Sequence, residues 1–192
     1  MRALRLAIVA SLFAAPAIAS AQQPSSDSLP HSGTWGAEAF LSSGNSGANL
    51  LRFQSNRTAL LLGAEFNVTH IENDDDSQAT SAATGTQSTF AARLGLRTYR
   101  QSSAERLRPI VGFGARTTYS KGPSSFRAWS AGGYAELGAT YFLTPHFSLG
   151  GTGELQASYG KREQQIGLNT TIDQTTTTFG GSLMRVLVSV YF

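Results

Sequence analysis

The chain has 192 residues, no cysteine, only 14 % charged residues and a formal net charge of +3. The lack of cysteine excludes a disulfide framework, a thiolate metal site, a cysteine nucleophile and a lipid-modified cysteine. Charged residues fall well below the usual quarter of a soluble domain, and so small a net charge argues against a nucleic-acid partner.

Residues 1–21 read as a secretory signal peptide. Arg2 and Arg5 precede an apolar run from Leu6 to Ala15, Pro16 breaks it, and Ala19-Ser20-Ala21 forms an A-x-A cleavage site. The run is too short for a spanning helix, which needs about 20 apolar residues. Residues 22–33 are polar, carry Pro24 and Pro30 and show no periodicity, which predicts a disordered linker.

Eight segments with period-2 alternation follow. They are predicted at 34–42, 48–55, 58–71, 87–101, 108–120, 129–143, 147–161 and 175–192. Each has one apolar phase: Trp35, Ala37, Ala39 and Leu41 in the first, Leu51 and Phe53 in the second, Leu60, Leu62, Ala64, Phe66 and Val68 in the third. The connections 56–57, 102–107 and 144–146 are short. On the other side 43–47 is brief, but 72–86, 122–128 and 164–174 are longer and polar. Short turns at one end and longer loops at the other predict a single barrel domain over 34–192.

The charges inside the segments decide which way the barrel faces. Glu38, Arg52, Glu65, Arg93, Arg97, Arg116, Glu136, Glu154 and Arg185 all lie on the phase opposite the apolar residues. A soluble eight-stranded barrel would point the apolar phase inward and leave isolated charges on an unusually uncharged exterior. In a membrane barrel the apolar phase meets lipid and the charges meet the lumen. An arginine on the lipid face at mid-bilayer would cost about 2–4 kcal/mol. The membrane arrangement is therefore expected. An eight-stranded lumen is just wide enough to be filled by side chains, so the nine charges predict an internal salt-bridge network that plugs it. Counted from the short-turn end, Arg116, Glu136, Glu154 and Arg185 stand at one height and are expected to form its centre, with Arg116 and Glu136 in contact. Glu65 and Arg93 lie at a similar height, and Glu38, Arg52 and Arg97 lower.

Catalytic chemistry finds no foothold. His31, His70 and His146 fall in the linker, at a long-loop strand end and in a short turn, so no metal cluster or Ser-His-Asp triad is assigned. His70 with Ser88 is the one pairing of that kind. Glu136 and Glu154 could act as a carboxylate pair, but their arginine neighbours favour a structural role. The glycine pairs such as Gly112/Gly114 and Gly150/Gly151 precede no helix and are not a phosphate loop. No cofactor is assigned.

The last segment is the most specific. Met184, Val186, Val188, Val190 and Phe192 alternate with Leu183, Arg185, Leu187, Ser189 and Tyr191, and the sequence ends on the aromatic Phe192. This ending resembles the C-terminal signature of bacterial outer-membrane β-barrels, and the strand plan is similar to that of the OmpA transmembrane domain. The resemblance implies an all-β, eight-stranded antiparallel up-and-down transmembrane barrel in the outer membrane, with the 22–33 linker and both termini periplasmic. It implies recognition of Phe192 by the barrel-assembly machinery, and a monomer surrounded by lipid and lipopolysaccharide. Glu72 with Asp74, Asp75 and Asp76 could hold a divalent cation that bridges lipopolysaccharide, and Lys121 and Arg127 could meet lipid phosphates. A solvated loop is the simpler reading of the acidic run. The expected role is structural or surface-interacting rather than enzymatic. A narrow conduit for small solutes is the alternative, and a lipid-modifying outer-membrane enzyme comes third.

Overall fold

The computed structural model describes residues 30–42, 45–71, 85–104, 106–123, 126–166 and 170–192. The expected signal peptide, most of the expected linker and the acidic run at 72–76 lie outside the described residues.

Eight strands are formed: β1 (Trp35–Leu41), β2 (Ser46–Phe53), β3 (Thr58–Ile71), β4 (Gly85–Tyr99), β5 (Leu107–Lys121), β6 (Arg127–Thr144), β7 (Phe147–Ile166) and β8 (Thr170–Tyr191). Each pairs antiparallel with its sequence neighbour, and β1 closes against β8. The closing seam runs from Gly36 opposite Tyr191 to Leu41 opposite Val186. Trp35 and Phe192 extend it with two reciprocal backbone hydrogen bonds of 2.9 Å. Closure has a plain cause: lipid cannot satisfy the N–H and C=O groups of an open sheet edge.

The alternation sorts the wall into two faces. Outward, Phe66, Phe90, Tyr119 and Trp129 are direct register partners across β3 to β6 and form one continuous exposed aromatic row. Trp35, Tyr141 and Phe192 are exposed at the end that carries the chain termini. Trp129 and Tyr141 lie 141 − 129 = 12 residues apart on β6. At about 3.3 Å per residue and a tilt of about 40°, that is roughly 30 Å of height, the thickness of a bilayer's hydrocarbon core. Leu60, Leu62, Leu94, Phe113, Leu137 and Leu155 fill the belt between the aromatic ends. Among the described residues no helix is long and apolar enough to cross a membrane, and the apolar belt is built from strands.

Two expectations are corrected. In β2 the phase is reversed: Leu51 and Phe53 point into the barrel, while Leu50 and Arg52 are exposed. Alternation could not decide this strand because both of its phases are apolar where it passes an apolar part of the lumen. Residues 164–174, expected as a loop, are largely strand, since β7 runs to Ile166 and β8 starts at Thr170. Cross-strand pairing overrides a largely polar composition there.

That apolar part of the lumen lies at the terminal end. Phe40, Leu51, Phe53, Leu61, Tyr99, Ile110, Phe142, Leu187 and Tyr191 form one buried cluster. Phe53 stacks on Tyr99 with centroids 5.3 Å apart, and Phe142 on Tyr191 at 5.4 Å. Phe53 meets Tyr191 edge-on at 5.8 Å and joins the two stacks. Higher up the interior side chains are longer, and glycine makes room for them. A Cβ on Gly63 would meet Arg93 Cγ at 2.6 Å, and one on Gly112 would meet Glu136 Cγ at 2.7 Å. A register shift between Thr152 and Glu154 inserts one extra residue into β8, a bulge that exchanges its inward phase. Arg185, Leu187, Ser189 and Tyr191 point inward below it, and Thr176 and Thr178 line the lumen above it.

The lipid belt makes a quantitative expectation. Leu137→Arg, at an exposed mid-belt position of β6, should lower the unfolding free energy in vesicles by about 2–4 kcal/mol, measured by urea titration. Ile172→Arg, near the far end of β8, should cost under about 1 kcal/mol. Equal effects would show that the belt is not where the exposed leucines place it.

Candidate functional site

Four arginines and four glutamates converge in the lumen directly beyond the apolar cluster. β1 supplies Glu38, β3 Glu65, β4 Arg93 and Arg97, β5 Arg116, β6 Glu136, β7 Glu154 and β8 Arg185. Each projects inward because it sits on the inner phase of its strand. All but Arg116 are buried.

The network has two tiers. In the lower one, nearer the termini, Arg97 bridges two carboxylates. Its Nη1 donates to Glu38 Oε2 at 2.7 Å, and its Nε and Nη2 donate to the two oxygens of Glu136 at 2.7 and 3.2 Å. Glu38 also accepts from Asn49 Nδ2 at 2.7 Å and Ser189 Oγ at 3.1 Å. In the upper tier Arg93 is the hub. It lies 3.0 Å from Glu154, 3.5 Å from Glu136 and 3.6 Å from Glu65. Arg185 pairs with Glu154 and, at 3.0 Å, with Glu65. Arg116 donates to Glu65 at 2.7 Å and to Gln156 Oε1 at 2.7 Å. Aromatic faces complete the cationic shell, with Arg93 4.2 Å from the Tyr134 ring centroid and Arg185 4.9 Å from that of Phe40. Each of these charges is thus paired with an opposite charge, as burial demands, while Arg93 Nε, Arg116 Nε and Glu154 Oε1 have no hydrogen-bond partner among the described residues.

Eight of the nine charges expected in the lumen meet there, and one does not. Arg52 is exposed on the outer face of β2 and lies 5.2 Å over the Trp35 ring. It follows from the reversed phase of that strand. The expected centre also shifts. Arg116 pairs with Glu65 and stands 3.8 Å from Glu154, while Glu136 pairs with Arg93 and Arg97. The Arg116–Glu136 contact is not made, and Arg93 is the hub instead. Both arginines show the same inward spacing in the sequence, so height alone could not choose between them. Tyr134, which carries the cation–π contact to Arg93, was not foreseen. Its position on the inner phase of β6, two residues from Glu136, was the available signal.

The remaining candidates are dispersed. His31 hydrogen-bonds within the turn at Thr34, His146 Nδ1 lies 3.0 Å from Tyr191 O, and His70 Nδ1 lies 3.3 Å from Thr86 Oγ1. Ser88 stands opposite Val68 rather than His70. Phe192 is exposed at the terminal rim. Lys121 and Arg127 face each other across β5 and β6 beyond the aromatic row.

Beyond the network the lumen widens into two adjoining cavities of about 250 and 260 Å³. They share Thr118, Ser130, Ser158 and Thr178, and the second has Arg116 and Gln156 in its lining. From the termini outward the lumen therefore runs from aromatic to ionic to hydroxyl-lined.

The pairing makes a double-mutant test. Glu136→Ala should destabilise the folded barrel by about 3–5 kcal/mol in urea, less where water enters. Combined with Arg97→Ala it should deviate from additivity by about 0.5–3 kcal/mol. Combined with Arg116→Ala it should be additive within about 0.5 kcal/mol. Strong coupling to Arg116 with none to Arg97 would refute this arrangement.

No protein-family model and no curated protein matches the chain. Solved structures do. The barrel is similar to the outer membrane protein AlkL solved in DMPC bilayers, at 15 % identity and a TM-score of 0.60, over 91 % of this chain and 97 % of that one. It is similar to OprG from Pseudomonas aeruginosa at 14 % identity and a TM-score of 0.58, over 86 % and 98 %. It is also similar to the N-terminal β-barrel domain of OprF from Pseudomonas aeruginosa at 14 % identity and a TM-score of 0.51, over 85 % and 100 %. The chain thus has the fold of the outer-membrane β-barrels, and its apolar belt has the height of a bilayer's hydrocarbon core.

Proposed function

We propose that this outer-membrane barrel is a closed structural or surface-interacting element rather than a pore or an enzyme. One observation carries the reading: two successive layers fill the lumen cross-section. The aromatic cluster led by Phe53, Tyr99, Phe142 and Tyr191 fills the terminal end. The eight-charge network fills the level above it. Opening a steady path for ions would require unstacking the first layer and breaking the second, each at a cost of several kcal/mol. On this reading outer-membrane lipid and lipopolysaccharide surround the belt, the barrel acts as a monomer, and the termini face the periplasm.

The discriminating experiment is planar-bilayer conductance of the purified, refolded barrel. No steady ohmic steps are expected across a range of voltages. Sustained stepwise conductance from the wild-type protein would overturn the proposal in favour of a narrow conduit.

Phe192 enters as an assembly signal. Its side chain is exposed to lipid at the rim, so its removal forfeits only part of the roughly 1.5–3 kcal/mol that full burial of such a side chain is worth. Deleting Phe192 should lower the amount of folded barrel in outer membranes several-fold while leaving refolding in detergent largely intact. Parallel losses in both assays would reduce its role to ordinary stability.

A further inference from the structure

The terminal end of the barrel carries five arginines on one arc of its rim, from β2 to β5. Arg52 lies on β2, Arg57 in the turn before β3, Arg100 just past β4, and Arg106 and Arg108 flank Leu107 at the start of β5. Backbone hydrogen bonds hold these positions side by side. Tyr99 N–H donates to Arg57 O at 2.7 Å, Arg100 N–H to Pro109 O at 2.8 Å, and Phe142 N–H to Arg106 O at 2.9 Å. Four of the arginines are exposed and Arg108 is half-buried. With strands about 4.8 Å apart and tilted by about 40°, the three spacings from β2 to β5 span roughly 19 Å of rim.

These five take no part in the lumen network, and among the described residues none of them forms an ion pair. Arg52 rests over the Trp35 ring at 5.2 Å. The exposed carboxylates Glu163 and Asp173 are register partners at the far end of the wall. Asp27 and Glu105 lie outside the described residues and offset at most two of the five charges. The carboxylate at Phe192 stands just past β8, outside the arc. Register fixes the level of the arginines. Arg52 is the partner of the exposed Trp35, and Leu107 is the partner of the exposed Tyr141. Those two rings mark the terminal edge of the apolar belt, the depth at which aromatic girdles meet lipid head groups. An arginine at that depth lays its stem on apolar surface and lifts its guanidinium into the head-group layer. The guanidinium fork then matches a phosphate with paired N–H donors. A soluble polyanion offers the same charge, but the position of the arc on the aromatic girdle favours a lipid.

We propose that the β2–β5 sector of the terminal rim binds the phosphodiester head groups of anionic phospholipid and so gathers that lipid from the leaflet at this end. A zwitterionic head group carries its own cation beside the phosphate and gains less. Each arginine near an anionic surface is worth about a factor of five in partition, and salt weakens it. The site depends on the rim and the apolar belt, not on whether the lumen is sealed.

The chain has two tryptophans, so Trp129→Phe leaves Trp35 as the sole reporter beside Arg52. The barrel is refolded into phosphatidylcholine vesicles that hold a minor share of brominated phosphatidylglycerol in both leaflets, which makes the reading independent of the way the barrel faces. Quenching of Trp35 should report a local share of phosphatidylglycerol at least threefold above the bulk, whereas brominated phosphatidylcholine should report its bulk share. Leu149→Trp in a Trp35→Phe, Trp129→Phe background probes the terminal end of β7, away from the arginines, and should report the bulk share of both lipids. Arg57→Gln, Arg100→Gln and Arg106→Gln together should at least halve the excess at Trp35, with heat-modifiable migration on gels confirming a folded barrel. Should the triple variant fail to fold, Arg57→Gln with Arg100→Gln serves and should lower the excess by at least a third. A bulk share at Trp35, an equal excess at Leu149→Trp, or an excess indifferent to the folded variants would overturn the proposal. So would variant-sensitive binding of an oligoglutamate peptide to the barrel in phosphatidylcholine nanodiscs without any excess at Trp35, which would make the rim a docking surface for an acidic peptide. Bilayer conductance reads the sealed lumen separately, so failure of one reading leaves the other standing.

Discussion

The structure depends on one electrostatic constraint: like charges stand side by side along the wall and are relieved largely across the lumen. Arg93 is the register partner of Arg116 on neighbouring strands, and Glu136 is the partner of Glu154. In a flat sheet both pairs would be unfavourable. Curling the sheet shut brings the arginines of β4 and β5 against the glutamates of β6 and β7. It also brings Arg185 of β8 to Glu65 of β3, residues 120 apart in sequence. Arg185–Glu154 and Arg93–Glu65 join neighbouring strands, but the network as a whole is completed only in the closed barrel. Buried ion pairs contribute little net stability against apolar packing, and their value here lies in specifying closure and register. A slip of one residue would move every charge of a strand to the lipid face.

The layering of the lumen follows from side-chain volume and polarity. Near the termini, stacked rings fill the cross-section and bring few polar atoms: Tyr191 Oη lies 3.0 Å from Ser148 Oγ, and the buried Tyr99 Oη has no hydrogen-bond partner among the described residues. At mid-height, long charged side chains reach across and interlock, and facing glycines admit their stems. Towards the far end, serine and threonine leave space. One fold thus combines a packed floor, an ionic plug and an open chamber. Fold alone cannot assign the role. The filled lumen is the feature that distinguishes functional readings for this chain.

By itself the sequence determined the strand count, the antiparallel order, the lipid-facing phase of seven strands and the inward aim of eight charges. Period-2 alternation encodes all of these locally, and the cost of a charge in lipid leaves little ambiguity. It misread β2 because Leu50, Leu51 and Phe53 make both phases apolar, so that only packing against Phe40 and Tyr191 could place Leu51 and Phe53 inside and Arg52 outside. It also misread residues 164–174, whose strand character comes from pairing rather than composition. The tertiary structure alone decided the partners within the network. Closure, stagger and the β8 bulge set which of several equally spaced arginines meets which glutamate, and they chose Arg93 and Arg97 for Glu136 over Arg116. It also decided how far β7 and β8 extend beyond the short β1 and β2, because the extent of pairing is a property of the closed sheet, which no single segment of sequence encodes.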